Sequence, residues 1–165
     1  MKKILNRILP FVFLFFLFGC NLNNTPTSKV EEKLSNYQML DKSINNDIES
    51  GISILSENMT LTNIQMERFR KIVKKQFRNL VYEVKEEMVD GDTATITVSI
   101  EVLNYKSVID NQVENTDVEN LLKQLESVKE KIEYTAYFIV IKDDDGNWNL
   151  DSFGEEEISK ILGIY

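Results

Sequence analysis

The side chains that most often carry out enzymatic chemistry are scarce in this sequence. It contains no histidine, and its one cysteine is Cys20. Catalytic pairs that use histidine, and zinc sites built from thiolates or imidazoles, therefore have no residues to draw on. A serine with a lysine, or two carboxylates, could still act, but no spacing in the chain singles out such a pair. We therefore predict no catalytic residue, no metal and no cofactor.

An acidic run near the C-terminal end invites comparison with a calcium loop. Three aspartates at positions 143–145 precede Gly146, and an EF-hand loop has glycine at position six with acidic ligands at one, three and five. Aligned in this way, Ile141 takes position one and Ser152 takes position twelve, where an aspartate and a bidentate glutamate are needed. The run therefore predicts a hairpin turn with exposed acids, and weak cation binding stays open.

The position of Cys20 indicates lipid attachment rather than catalysis. Residues 1–19 have the layout of a secretory signal, with basic residues first and then an apolar run at 8–18. That run is shorter than the ~20 apolar residues that a membrane-spanning helix needs. The segment LFGC at 17–20 resembles the bacterial lipobox, although Phe18 stands where a smaller residue is usual. The resemblance implies that Cys20 carries a diacylglycerol and begins the mature chain; the alternative is a small buried hydrophobe.

The rest of the chain is predicted to form a tether at 20–28 and a single domain at 29–165. Removal of the signal leaves 16 basic against 27 acidic residues, a formal charge of −11. Such a surface repels phosphate backbones, so nucleic acid is not expected as a partner. The predicted location is outside the cytoplasm, anchored by lipid to the outer face of the bacterial cell membrane.

Helices are predicted from capping motifs that precede apolar residues at helical spacing. Capping boxes occur at 28–31, 62–65 and 116–119. A weaker helix should run from Ile44 to Leu55, where Gly51 costs about 1 kcal/mol relative to alanine. A short helix is expected near Glu155 to Leu162. The stripe that follows Thr116 is Val118, Leu121, Leu122, Leu125, Val128 and Ile132.

Two hairpins are predicted from apolar alternation. The segment TATITVSIEV at 93–102 alternates without error and follows a turn at Asp90–Gly91, after a strand through Tyr82 and Val84. The segment 134–141 is apolar on both alternations, which suits a strand covered on both sides or placed centrally. A turn at 143–147 should lead into a return strand with Trp148, Leu150 and Phe153.

These elements predict an α+β domain in which an antiparallel, curved sheet of about four strands packs on helices. The segments TPTSKVEEKLSNYQMLD, KKQFRNLVYEVKEEMVDGDTATITVSIEVLNYKSV and ILGIY are similar to a family of uncharacterised Firmicute lipoproteins. The resemblance implies a cystatin-like or NTF2-like fold, and it implies no activity, because that family has none assigned. An NTF2-like fold often encloses a conical pocket between sheet and helix.

Two groups of residues remain candidates for binding. Tyr134, Phe138 and Trp148 would line such a pocket, or they would simply fill the core. A basic helix face would contact anionic headgroups, or it would be a solvated face balanced by acids elsewhere in the fold. The residues of that face that would make the contact are Lys71, Lys74, Lys75 and Arg78.

The leading functional hypothesis is a surface-anchored, non-enzymatic module that binds an unknown ligand or protein outside the cytoplasm. The ligand could be a peptide, a cell-wall fragment, a small apolar molecule or a membrane-protein partner. The alternative is a small NTF2-like enzyme that uses a pocket carboxylate, which predicts a deeply buried acid with a raised pKa. A third hypothesis is a structural envelope component, for which an exposed apolar patch on the sheet would be the sign.

Overall fold

A computed structural model describes residues 24–111, 117–150 and 153–165 of the chain. The predicted signal segment and Cys20 lie outside these ranges. Helices and strands follow one another in the predicted order of helices, hairpin, helix, hairpin and helix. The elements are α1 (Pro26–Met39), a short 3-10 turn (Lys42–Ile44), α2 (Asn45–Leu55), α3 (Asn63–Asn79), β1 (Val81–Asp90), β2 (Thr93–Leu103), α4 (Lys106–Ile109), α5 (Val118–Ser127), β3 (Lys131–Lys142), β4 (Trp148–Leu150) and α6 (Glu155–Leu162).

The strands form one antiparallel sheet of four strands in the order β1-β2-β3-β4. The perfect alternation of β2 fixes its register, since a slip of one residue would move its whole apolar row into water. Gly91 has a φ of 60° in the tight turn that joins β1 to β2. The apolar row of β2 is buried under the helices, as predicted; it consists of Ala94, Ile96, Val98, Ile100 and Val102.

The helices pack on this buried side of the sheet, so the predicted α+β class is confirmed. Helix α1 contacts all four strands, and α3 packs against α1, α2, α5 and α6. The predicted cap of α3 is confirmed, because the Thr62 hydroxyl accepts the Gln65 N–H and the Gln65 side chain accepts the Thr62 N–H. The stripe that α3 buries contains Phe69, Ile72, Val73 and Phe77.

Helix α1 begins three residues earlier than predicted, because its N-cap is Thr25 and not Ser28. Thr25 is the N-cap, and its hydroxyl accepts the Ser28 N–H at 3.1 Å while the Ser28 hydroxyl accepts the Thr25 N–H at 3.0 Å. Pro26 favours this start, because proline is well suited to the first helical position, where no N–H is needed. Residues 26–28, expected in the tether, therefore belong to the helix.

Helix α5 is shorter than predicted at its C-terminal end. It stops at Ser127, and Ile132 lies in β3, where it pairs with Val102. The predicted cap residue Thr116 lies outside the described residues, and Asp117 at the N-cap makes no side-chain capping bond. The short helix α4 was not predicted.

Strand β3 lies between β2 and β4, which confirms the predicted alternative of a central strand. Only one of its faces is covered. Its even-numbered residues from Ala136 to Val140 are buried, whereas its odd-numbered residues are exposed from Glu133 to Ile141. Coverage on both sides is therefore wrong for this strand, because the described helices all pack against the same side of the sheet. The return strand β4 is short, and Phe153 lies beyond it.

Candidate functional site

The side of the sheet that faces away from the helices, called here the outer sheet face, carries a group of exposed apolar side chains. Thr95 of β2 lies between Met88 of β1 and Ile139 of β3, because it pairs with both residues across the sheet. Tyr137 and Ile141 occupy the neighbouring rows, opposite Thr97 and Thr93. These four side chains are 48–61% exposed. We call Met88, Tyr137, Ile139 and Ile141 the apolar patch.

An open depression of about 200 Å³ adjoins the apolar patch where the short strand β4 pairs with β3. Its base is aromatic, since the rings of Phe138 and Phe153 lie 4.7 Å apart between centroids. Glu157 also lines it. The depression is lined by Tyr137, Phe138, Ile139, Ile141, Leu150, Phe153, Gly154 and Glu157.

The aromatic residues that the sequence nominated do not form one site. Phe138 is buried and lines the depression. Tyr134 lies elsewhere on β3, where its hydroxyl donates to the backbone carbonyl of Tyr165 at 3.0 Å. Trp148 is buried beneath Lys142, whose Nζ is 5.2 Å from the ring centroid. Tyr137 was expected only as one of the aromatic residues clustered in the last two strands, and Ile139 was not selected. Their alternation with buried residues places both on one face of β3.

The interior between sheet and helices is lined by a cluster of buried apolar side chains. Among the described residues, the buried polar or charged ones are Gln76 and Lys160. Gln76 is fully paired with the backbone of Leu103. Nζ of Lys160 donates to Glu156 at 2.6 Å. The described ranges therefore hold no buried carboxylate of the kind that the enzymatic alternative needs.

The directions of the pKa shifts agree with an apolar interior that holds no described carboxylate. Burial raises the pKa of the Tyr37 hydroxyl far above its ordinary value, and the Asp47 carboxylate that accepts its hydrogen bond at 2.9 Å adds to the effect. Each described carboxyl group with a clearly shifted pKa is shifted downwards by hydrogen-bond donors. These groups are Asp41, Glu119, Glu126, Asp143 and Glu156.

The basic face of α3 is partly neutralised by acids of the fold. Arg68 pairs with Glu126 at 2.8 Å and also with Glu119, both on α5. Of the four residues predicted to contact headgroups, Lys75 is bound within the fold, because its Nζ donates to the backbone carbonyls of Glu126 and Val128. Arg70 pairs with Glu49 and Glu67. No ion pair involves Lys71, Lys74 or Arg78 within the described part of the chain.

The acidic segment at 143–147 forms the predicted turn, and its first aspartate, Asp143, stabilises that turn. One carboxylate oxygen of Asp143 accepts the N–H groups of Asp145 and Asn147, and the other accepts the Asn149 side-chain amide. These backbone bonds lower the pKa of Asp143. The ranges that the structure describes contain no group of three His, Cys, Asp or Glu residues arranged to hold a metal ion.

The N-terminal end of the described chain is fixed beside this turn. The Asn24 side chain accepts the Trp148 N–H at 3.0 Å and donates to the Asn147 side chain at 3.2 Å. Thr27 donates from both its N–H and its hydroxyl to Glu87, near the tip of the β1–β2 hairpin. The chain therefore enters the domain at the hairpin tips. None of the helices within the described ranges is long and apolar enough to cross a bilayer.

Comparison with known proteins gives one structural similarity to report. The chain matches no protein-family model and no curated protein sequence. The crystal structure of a candidate ketosteroid isomerase from Shewanella frigidimarina NCIMB 400 is 12% identical, over 76% of this chain and 90% of that chain, with a TM-score of 0.37. Similarity at this level assigns neither a family nor an activity. The structure of the chain itself shows an α+β domain with a four-stranded antiparallel sheet packed on helices.

Proposed function

We propose that the chain is a bacterial lipoprotein, anchored through a diacylglycerol on Cys20 to the outer face of the cell membrane, whose domain is a non-enzymatic binding module. The NTF2-like or cystatin-like description of the fold belongs to the same proposal. Its support is the secretory layout of residues 1–19 and the lipobox-like segment at 17–20. One acyl chain binds a membrane marginally and two bind it stably, so a diacylglycerol suffices as an anchor.

The observation that carries the binding function is the apolar patch on the outer sheet face. Large apolar side chains scattered singly over a surface are normal, but a contiguous group marks an interaction site. Met88 and Ile139 flank the same threonine, and Ile139 lies between Tyr137 and Ile141 along β3. The apolar interior supports binding at the surface over chemistry in a pocket, because Glu157 is the one carboxylate among the described residues that line the depression.

A pair of measurements on membranes of a producing bacterium tests this proposal. Intact mass spectrometry should find a mature chain that begins at Cys20 and carries a diacylglycerol, and Cys20→Ala should abolish the addition. A start elsewhere without lipid contradicts the anchor.

The binding function is tested in the same membranes by photocrosslinking. Benzoylphenylalanine at position 137 should give a discrete crosslinked species on illumination. The matched control places the same group at position 64, because Ile64 is 75% exposed at the start of α3 and far from the patch in the chain. The absence of a species specific to position 137 contradicts binding at the outer sheet face.

A further inference from the structure

The apolar patch occupies only one half of the outer row of β3. This row begins with Lys131, Glu133 and Thr135 and then changes to Tyr137, Ile139 and Ile141. The outer row of β2 stays polar from Thr93 to Glu101, as a solvated antiparallel face usually does. No described element covers the apolar half, so these side chains contribute little to the core of the domain.

The charges around the apolar patch are negative. Glu86 lies in the row of Tyr137, Asp90 lies in the row of Ile141, and Glu157 lines the adjoining depression. The other two acids of β1 and β2 on this face are already neutralised, since Glu83 pairs with Lys85 and Glu101 pairs with Lys131.

Two basic groups that lie near the apolar patch do not offset these three carboxylates. Lys160 approaches the Tyr137 ring at 5.9 Å from its centroid, but the residue is buried and its Nζ is bound to Glu156. Lys142 points to the opposite side of the sheet, over the Trp148 ring. Within the described ranges no ion pair involves Glu86, Asp90 or Glu157, so the apolar patch is bordered there by unpaired negative charge.

We infer that the apolar patch docks a polypeptide segment of a partner protein that presents apolar side chains flanked by lysine or arginine. An apolar side chain of that segment would enter the depression between Ile139 and Phe153, and its neighbouring cations would meet Glu86, Asp90 and Glu157. A second copy of this chain fits poorly, since a symmetric contact would oppose the same carboxylates. An anionic lipid surface is repelled by them. The inference rests on the proposed binding function and is independent of lipid on Cys20.

Two peptides of equal apolar content and opposite charge test the inference, namely GKLFKLKG and GELFELEG. The protein is the chain from residue 20 onwards with Cys20→Ser, which contains every described residue. Methyl and amide NMR signals are followed during titration with each peptide. The cationic peptide should shift the signals of Met88, Ile139 and Ile141, with an affinity that falls as salt is added. The acidic peptide should bind at least about tenfold more weakly.

Matched variants locate the contact. Ile139→Lys should weaken the cationic peptide at least about tenfold, whereas Ile64→Lys on α3 should leave its affinity unchanged. Equal binding of both peptides overturns the partner class and leaves the binding function in place. Shifts confined to other surfaces, equal loss in both variants, or no shift at millimolar peptide overturns the apolar patch as the docking surface. Crosslinking at position 137 in membranes then decides separately whether the binding function itself survives.

Discussion

Gln76 of α3 holds the end of β2 by two hydrogen bonds to one residue, Leu103. Its Nε2 donates to the Leu103 carbonyl at 2.9 Å, and its Oε1 accepts the Leu103 N–H at 3.1 Å. Both residues are buried. The Gln76 side chain thereby makes the hydrogen bonds to the Leu103 backbone that a neighbouring strand would otherwise make, at the end of the sheet beneath the helix layer.

Removal of the Gln76 amide should destabilise the domain strongly. Gln76→Leu keeps the volume but leaves the buried Leu103 N–H unsatisfied, whereas the Leu103 carbonyl keeps the Tyr105 N–H at 3.0 Å. We expect a loss of about 1–3 kcal/mol in the free energy of unfolding. The matched control is Gln38→Leu, which removes one part-buried bond from the exposed Gln38 to the Leu80 carbonyl and should cost about 1 kcal/mol or less. Urea unfolding followed by circular dichroism measures both. Equal losses would contradict the role of Gln76.

Gly163 should tolerate no side chain, because it approaches the same part of β2. It ends α6 with a φ of 72°, and a Cβ built there would overlap the Leu103 carbonyl oxygen and crowd Nε2 of Gln76. Gly91 offers a matched comparison, since its φ is 60° and a Cβ would meet nothing within 4 Å. We expect Gly91→Ala to cost about 1–2 kcal/mol through backbone conformation alone. Gly163→Ala should cost at least about 2 kcal/mol more, and thermal unfolding of both variants would show whether the difference exists.

The sequence predicts best those features that are set by neighbouring residues. The alternation of β2 and the capping box of α3 are local, and both are confirmed. The start of α1 was misplaced because Ser28 belongs to two overlapping capping patterns, and Pro26 favours the earlier one. Ile132 was assigned to α5 because its spacing of four residues from Val128 fits a helical stripe. Its even position also fits the alternation of β3, and the structure places it in that strand.

Long-range relationships escaped prediction for a different reason. The pairing of Gln76 with Leu103 joins residues 27 positions apart, and no local pattern marks either partner. The exposure of Ile139 could not be deduced from β3 itself. A strand that is apolar on both faces is identical in sequence whether its second face meets another element or stays open. The placement of the described helices on one side decides this, and none of the described elements covers the apolar patch.

The Arg68 ion pairs should make acid unfolding depend on this arginine. Hydrogen bonds from Gln65 and Arg68 lower the pKa of Glu119, and the bond from Arg68 lowers that of Glu126, from the ordinary value of 4.5. A lowered folded-state pKa stabilises the fold above the unfolded value, and this contribution is lost as the pH falls through the folded value. Stability should therefore decline below about pH 4.5, and Arg68→Met should reduce the slope of that decline.

Carboxyl NMR titration tests the cause directly. In Arg68→Met the pKa values of Glu119 and Glu126 should both rise towards 4.5. Arg78→Met, which changes an exposed arginine of the same helix, should leave both pKa values where they are. Unchanged pKa values in Arg68→Met would refute the assignment of the shifts to this pair of contacts.

The contacts of Asn24 lead to a prediction about which end of the domain lies beside a membrane. Asn24 is fixed at the hairpin tips by Trp148 and Asn147, and Cys20 precedes it by four residues, a reach of at most about 14 Å. Strand β3 has 12 residues and extends roughly 36 Å from this end to Lys131. A lipid on Cys20 should therefore hold Trp148 near the bilayer surface and keep the start of β3 away from it.

The chain's single tryptophan and single cysteine allow a direct test. The chain from residue 20 is coupled through Cys20 to a maleimide lipid in phosphatidylcholine vesicles with spin-labelled headgroups. Trp148 fluorescence should be quenched several-fold more than that of Trp148→Phe/Lys129→Trp, in which the tryptophan stands just before β3. An insertion of twelve Gly and Ser residues after position 23 should weaken the quenching of Trp148. Equal quenching at both positions would mean that the domain lies on its side, and addition of phosphatidylglycerol would then show whether Lys71, Lys74 and Arg78 of α3 hold it there.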